Sequence, residues 1–280
     1  MSTQLSAVAN TEFDSQVKHA YQASGKLRDA ATVREGVTGD TYKFRKMGQG
    51  IATQRSVTQS DVTPMGVAHA TISATLTNWE APEYTDIFDA AEVNFSEQSE
   101  LAMTIGNALA RRYDQLLIDA LDAASTTYTV ANSIGGTNTG VNLAKLRKAK
   151  RLLDDNGVPS GNRFYALSAI GLNDQLLATT EATSSDFNSV KALVQGEVNT
   201  YMGFSFKMIE SRTEGGLTLA TNARQNFAWH KDALGIAVGL GPRTEVNYIP
   251  HKLSWLACGV LKAGATYRDL LGIVELDCYE

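Results

Sequence analysis

Two short runs of strict alternation bracket a stretch that has little to bury. From Thr41 to Arg45, Tyr42 and Phe44 fall on one face while Lys43 and Arg45 fall on the other. From Thr71 to Thr77 the chain alternates again, with Ile72, Ala74 and Leu76 together. A period of two is the strand signature. Between the runs, Gly48-Gln49-Gly50 interrupts the first strand, and Gln54 to Thr63 is polar. A long stretch of that kind is unusual inside a compact domain. It fits a hairpin-like excursion that leaves its own subunit and rests on a neighbour, so the chain is expected to self-associate.

Charge supports that expectation. From Thr41 to Ser60 there are four basic residues, Lys43, Arg45, Lys46 and Arg55, and no acid. From Asp61 to Ala110 there is no Lys or Arg, against eight acids: Asp61, Glu80, Glu83, Asp86, Asp89, Glu92, Glu97 and Glu100. Each stretch could simply be a solvated face. The functional reading is self-complementarity, with the basic segment of one copy over the acidic strip of the next. Charges so placed set register and orientation more than affinity. The expected contact residues are Lys43, Arg45, Lys46 and Arg55 against Glu80, Glu83, Asp86, Asp89, Glu92, Glu97 and Glu100.

The remaining pattern is mixed α and β. Thr11 to Ala23 reads as a short amphipathic helix through Phe13, Val17, Ala20 and Tyr21. It is too short to stand alone in water. Asn94 to Ala124 is the clearest helix, with Leu101, Ile105, Leu109, Leu116 and Leu117 in phase and Asn94 with Glu97 as a capping box. Leu143 to Asn156 is a second, with Lys145, Lys148 and Arg151 as its basic face, Gly157 as its stop and Pro159 beyond. Arg163–Ser168, Phe204–Ile209 and the segment holding Phe227 and Trp229 read as strands. Shorter helices are expected at Asn173–Leu177 and Phe187–Val194. Gly235, Gly239 and Gly241 around Pro242 suggest a turn. The apolar run Lys252–Lys262 and Ile273–Cys278 are expected to form an antiparallel pair, with Gly259 and Gly264 at bulges or close backbone approaches.

No pattern points to chemistry. His19, His69, His230 and His251 are scattered and form no metal-ligand spacing. Neither a nucleophile elbow nor a phosphate-binding loop occurs. We expect no catalytic, cofactor-binding or metal-binding residues and no cofactor. Cys258 and Cys278 make no disulfide framework and suit a reducing compartment. The net charge of -5 does not suit a protein that grips phosphates over its whole surface. Met1-Ser2-Thr3-Gln4-Leu5 has neither the basic nor the apolar part of a signal peptide. No apolar run approaches the ~20 residues that span a bilayer, so no membrane is expected.

Three stretches carry a family resemblance. Trp79-Glu80-Ala81-Pro82-Glu83-Tyr84-Thr85-Asp86 leads into the long helix with Ala110-Arg111-Arg112-Tyr113-Asp114-Gln115-Leu116-Leu117. Ala228-Trp229-His230-Lys231-Asp232-Ala233-Leu234-Gly235 is the second, and Ser254 to Thr266 with its return strand is the third. In this order they resemble the Hong Kong 97-type major capsid (coat) proteins of tailed bacteriophages, over essentially the whole chain. The resemblance implies an α+β capsid fold. Residues 1–35 would be an N-terminal arm, 36–82 an extended β-hairpin loop, 83–130 and 251–280 a peripheral domain with a long spine helix, and 131–250 an α/β axial domain. It implies a non-enzymatic virion protein that self-assembles as pentamers and hexamers, in the host bacterial cytoplasm, into an icosahedral shell. The shell would enclose double-stranded DNA without sequence-specific binding. The implied partners are a portal, a decoration protein and a separate scaffolding protein, since the arm is short and not a long acidic helix. Lys43 and Lys46 lie in the loop, but neither matches the crosslinking lysine of some relatives. An encapsulin-like nanocompartment shell protein and a soluble α/β enzyme with a dispersed site are the alternatives.

Overall fold

The computed structural model describes residues 24–59, 61–88, 97–124, 128–176 and 200–280. The expected helices at 11–23 and 187–194, and the capping residue Asn94, lie outside them. In chain order the strands are β1 (Thr32–Glu35), β2 (Thr41–Met47), β3 (His69–Thr75), β4 (Thr77–Asp86), β5 (Thr129–Val130), β6 (Arg163–Ser168), β7 (Thr200–Tyr201), β8 (Phe204–Ile209), β9 (Leu219–Ala220), β10 (Ala223–His230), β11 (Leu234–Ile249), β12 (Ser254–Tyr267) and β13 (Ile273–Tyr279). The helices are α1 (Glu97–Ala124) and α2 (Leu143–Asp155).

Three sheets result. One has the order β1-β11-β12-β4. The second runs β5-β13-β10-β6-β8-β7, with β9 also on β10. The third is the β2-β3 hairpin, paired antiparallel from Thr41↔Thr75 to Met47↔His69, as the two alternating runs predict.

Helix α1 has 28 residues and spans ~42 Å at 1.5 Å per residue. Its buried stripe is Ile105, Leu109, Tyr113, Leu117 and Leu121, spaced by four, the period that keeps one helix face on a core. The stripe lies against the first sheet, where Gly259 makes room for it. A Cβ on Gly259 would overlap Ile105 and stand 2.9 Å from Leu109 Cδ1. Further along, α1 shares a core with one face of the second sheet. Alternation on β10 divides two cores, since Phe227 and Trp229 join α1 while Ala228 faces α2 with Leu146, Ala149 and Leu153. Each large side chain so buried contributes about 1.5–3 kcal/mol. Helix α2 starts on Asn142, whose side chain accepts from Lys145 N at 2.8 Å, and stops at Gly157, which takes φ +71.

The structure corrects four expectations. The strands β12 and β13 do not pair with each other. The first lies between β11 and β4 and the second between β10 and β5, because a 3-10 turn at Leu270–Gly272 passes the chain from one sheet to the other. Gly235, Gly239 and Gly241 make no turn. They lie within the 16-residue strand β11, whose register shifts between Val238 and Leu240 and again before Arg243. Such irregularities re-aim a strand without ending it. Near Asn173 the helix is a single wide turn, Gly171–Leu176. Lys145 is not on a solvated face: its side chain is fully buried, and Nζ donates to Thr139 O at 2.5 Å and Asp277 O at 2.7 Å. A buried ammonium needs such acceptors.

The two cysteines are unpaired and differ in environment. Burial pushes the Cys278 thiol up to about 11, leaving about one thiolate per thousand at pH 8. Cys258 is half-buried on the sheet face turned away from α1. Iodoacetamide at pH 8 is therefore expected to label the native subunit at Cys258 alone and the denatured chain at both. Peptide mass mapping checks this, and native labelling of Cys278 would contradict the packing around α2.

Candidate assembly surface

The hairpin is rooted by apolar and ionic contacts. Phe44, Ala74, Leu76 and Ala237 form a small core of their own. Arg268 lies over the Phe44 ring at 5.4 Å. Lys46 Nζ meets Asp269 Oδ1 at 2.6 Å, and Lys262 Nζ meets Asp40 Oδ1 at 2.6 Å. The Lys262 ammonium holds the Asp40 carboxyl below its ordinary value. These contacts set how the hairpin leaves the body, and they occupy Lys46 within its own chain.

Beyond the root the loop has no such cover. Ile51 is 80% and Val62 87% exposed, and Met47, Val57 and Met65 are also largely exposed. The stretch that reads as polar therefore also carries unpacked apolar side chains. Lys43 and Arg45 lie on the solvent side of β2, opposite Ser73 and Thr71. Arg55 is in the loop, where Nε donates to Val57 O at 3.3 Å.

Glu80, Glu83 and Asp86 of the acidic strip lie on β4, an edge strand of the first sheet among the described residues. Glu80 and Glu83 are exposed there and Asp86 is half-buried. Asp86 Oδ1 accepts from Phe88 N at 2.8 Å. Pro82 stands opposite Cys258 in an unbroken ladder, so its missing N–H faces the open edge, where proline is tolerated. Glu97 begins α1 and Glu100 is half-buried in its first turn. Asp89 and Glu92 lie outside the described residues. Beside Glu80, a cleft of about 470 Å³ opens over β12, flanked by β4 and the irregular part of β11 and lined by Asn78, Trp79, Leu240, Val260 and Lys262. Tyr84, Val246, Tyr248 and Leu253 expose further apolar surface around that sheet. The loop thus carries basic and apolar side chains, and β4 with its neighbours carries exposed acidic and apolar ones.

A buried network at α1 carries the chain into this region, and the charge pattern alone did not reveal it. Asp114 is fully buried. Its carboxylate accepts from Lys26 N at 2.8 Å, Leu27 N at 3.0 Å and Arg212 Nη2 at 2.9 Å. Arg212 also donates to Gly215 O at 2.8 Å and Ser24 O at 3.3 Å. Lys26 Nζ pairs with Glu210 and donates to Met208 O. Trp229 Nε1 donates to Ala30 O at 2.8 Å. Segment 24–31 is thereby pinned across α1 and β10. The overlooked signal was an acid at Asp114 in phase with Leu117 and Leu121, on the apolar stripe.

Among the described residues no group of three His, Cys, Asp or Glu side chains could hold a metal. None of their helices is long and apolar enough to cross a membrane. His230 is buried, and its Nδ1 accepts from Asp232 N at 3.2 Å as a cap.

Comparison with known proteins places this geometry. A family model described as phage capsid protein matches residues 5–280. No curated protein sequence matches. Among solved structures, a chain of the capsid of cyanophage P-SCSP1u is similar with a TM-score of 0.78 at 18% identity, over 99% of this chain and 95% of that one. A chain from the head of Helicobacter pylori bacteriophage KHP40 gives 0.78 at 10% identity, over 99% and 98%. One from Mycobacterium phage Che8 gives 0.72 at 15%, over 96% of each. At these identities the likeness is one of fold.

Proposed function

This chain belongs to the phage capsid protein family, as a major capsid protein that forms the shell, and from that premise we propose how its copies meet. The extended loop of one copy lies over β4 and the adjoining cleft of the next. Lys43, Arg45 and Arg55 face Glu80, Glu83 and Asp86, while Ile51, Val57 and Val62 cover Leu240 and Val260. The observation that carries this reading is the exposure of several apolar side chains in the loop, Ile51 and Val62 above all. Contiguous exposed apolar surface marks an interaction site. Many such contacts, each modest, sum to a stable shell by multivalency.

In this reading the shell is icosahedral, made of pentamers and hexamers around double-stranded DNA, and assembles in the bacterial cytoplasm with a portal and a separate scaffolding protein. A decoration protein is a further candidate partner. Residues 131–250 surround the capsomer axis, and 83–130 with 251–280 form the periphery. The role is structural and not enzymatic. Family membership favours a virion shell over a nanocompartment.

The test is a charge swap that leaves Lys46 and its Asp269 partner alone. Lys43→Glu with Arg45→Glu is expected to lower shell yield about tenfold or more, as like charges meet across the contact. Circular dichroism and thermal melting of the free subunit should be unchanged. Adding Glu80→Lys and Glu83→Lys to the same chain should restore shells in negative-stain images. Wild-type yield from the first variant, or no recovery in the second, overturns the proposed pairing.

A further inference from the structure

Helix α2 carries its charges in an order that works against its own stability. Arg147, Lys148, Lys150 and Arg151 lie on the outer side of the helix, while Leu146, Ala149 and Leu153 face the core. All four lie before the last turn, where the acids Asp154 and Asp155 stand. Its first turn has no acid and its last turn no base. The helix dipole favours the reverse arrangement. Neighbours on this face also repel. Arg147 and Arg151 are four apart, and Arg147–Lys150 and Lys148–Arg151 are three apart, spacings at which like charges destabilise a helix.

The acids do not neutralise the face. Asp154 is taken by Arg163 at 2.7 Å. Among the described residues Asp155 pairs with Arg151 alone, at 3.6 Å, and both are well exposed. Among the described residues, Arg147, Lys148 and Lys150 make no ion pair. A face selected only for solubility would mix signs. This cluster persists in a chain of net charge -5, so the charge is concentrated where an anionic partner can meet it.

We propose that this face of α2 binds the phosphate backbone of double-stranded DNA and therefore marks the interior side of the subunit. The inference rests on the reading that the shell encloses DNA. Arg147 and Arg151 are ~6 Å apart along the helix axis. Phosphates of one strand recur about every 3.4 Å along the duplex, so with α2 along the duplex axis the two guanidiniums can meet phosphates two steps apart with charge-assisted hydrogen bonds. Few contacts of this kind give weak, sequence-independent, salt-sensitive binding. DNA can then slide during packaging and still order its outermost layer against the wall.

The test uses the purified full-length chain and a labelled random-sequence duplex, followed by fluorescence anisotropy at several salt concentrations. The wild-type affinity should fall with log salt with a slope near about -3.6, as expected for four phosphates. The variant Arg147→Gln/Lys148→Gln/Lys150→Gln/Arg151→Gln should bind at least about tenfold more weakly at low salt, with a slope shallower by about 3.6. The variant Arg147→Lys/Arg151→Lys should retain most binding. Circular dichroism establishes that each variant keeps its helices. No binding by the wild type, or unchanged binding by the Gln variant, overturns the proposal. So does tighter binding of an acidic polyglutamate peptide than of the duplex, which would assign the face to an acidic protein. Shell formation by the Gln variant, imaged separately, reports on the assembly reading alone, so the two can fail independently.

Discussion

Asp114→Ala is expected to destabilise the subunit by about 3–5 kcal/mol, the range for removing one partner of a buried ion pair. The substitution removes three acceptor contacts at once. Lys26 N and Leu27 N lose their partner, and the Arg212 guanidinium loses its buried counter-charge. Glu210, at 3.7 Å from Arg212, is half-exposed and replaces it poorly. Urea unfolding of the free subunit measures the loss. Proteolysis near Ser24 should accelerate as segment 24–31 detaches from α1. Asp114→Leu with Arg212→Leu should recover part of the stability, because no charge is then left buried alone. If Asp114→Ala unfolds within about 1 kcal/mol of wild type, the network does not anchor the arm.

The same carboxylate has an unusual pH signature. Burial raises its pKa above the ordinary value, against the opposing donors Lys26 N, Leu27 N and Arg212. A carboxyl raised in the folded state binds more protons there than in the unfolded chain. Its contribution to stability therefore falls as pH rises through the window from the ordinary value up to the folded one. Asp40 is depressed and behaves oppositely: its contribution is present above the ordinary value and is lost as pH falls through the folded one. Asp114→Asn should remove the first slope and leave the second.

Gly264→Val is the second large effect, with an expected cost of about 3 kcal/mol and a fall in Tm of roughly 5–10 °C. A Cβ at this position would overlap the Thr75 carbonyl oxygen and stand 2.6 Å from Thr75 C and 3.1 Å from Leu76 Cα. All are backbone atoms, so no rotamer change relieves the clash. Thr75 ends β3 and Leu76 joins it to β4, so the displacement falls on the root of the extended loop. Shell yield should drop further than stability alone explains. Gly106→Ala is the control. It lies within α1, where an added Cβ would meet nothing within 4 Å beyond the adjoining helix backbone and its chain neighbours, and should raise stability by about 0.8–1 kcal/mol through helix propensity. Equal effects from the two substitutions would show that the close approach at Gly264 is not constraining.

Local periodicity was legible because it depends on neighbours in the chain. The alternation at Tyr42 and Phe44, the four-residue spacing of Ile105, Leu109 and Leu117, and the stop at Gly157 each follow from backbone geometry, and the structure contains all three elements. The apparent polarity of the loop was only half the matter, since exposure of Ile51 and Val62 depends on what the fold leaves uncovered. Lys145 read as part of a basic face by composition, although its phase with Ala149 and Leu152 pointed inward. Asp114 carried the same kind of signal.

What the sequence by itself determined, then, was the β2–β3 hairpin, the helices α1 and α2, and the segregation of charge along the chain. Pairing between distant segments was decided only in three dimensions. β12 and β13 are close in sequence, yet they join different sheets because a 3-10 turn separates them, and β12 pairs with β11 and β4 while β13 pairs with β10 and β5. Lys46 and Asp269 are 223 residues apart, and no local pattern could have joined them. A strand or helix records its period in adjacent residues, whereas a contact between distant segments exists only once their cores have formed.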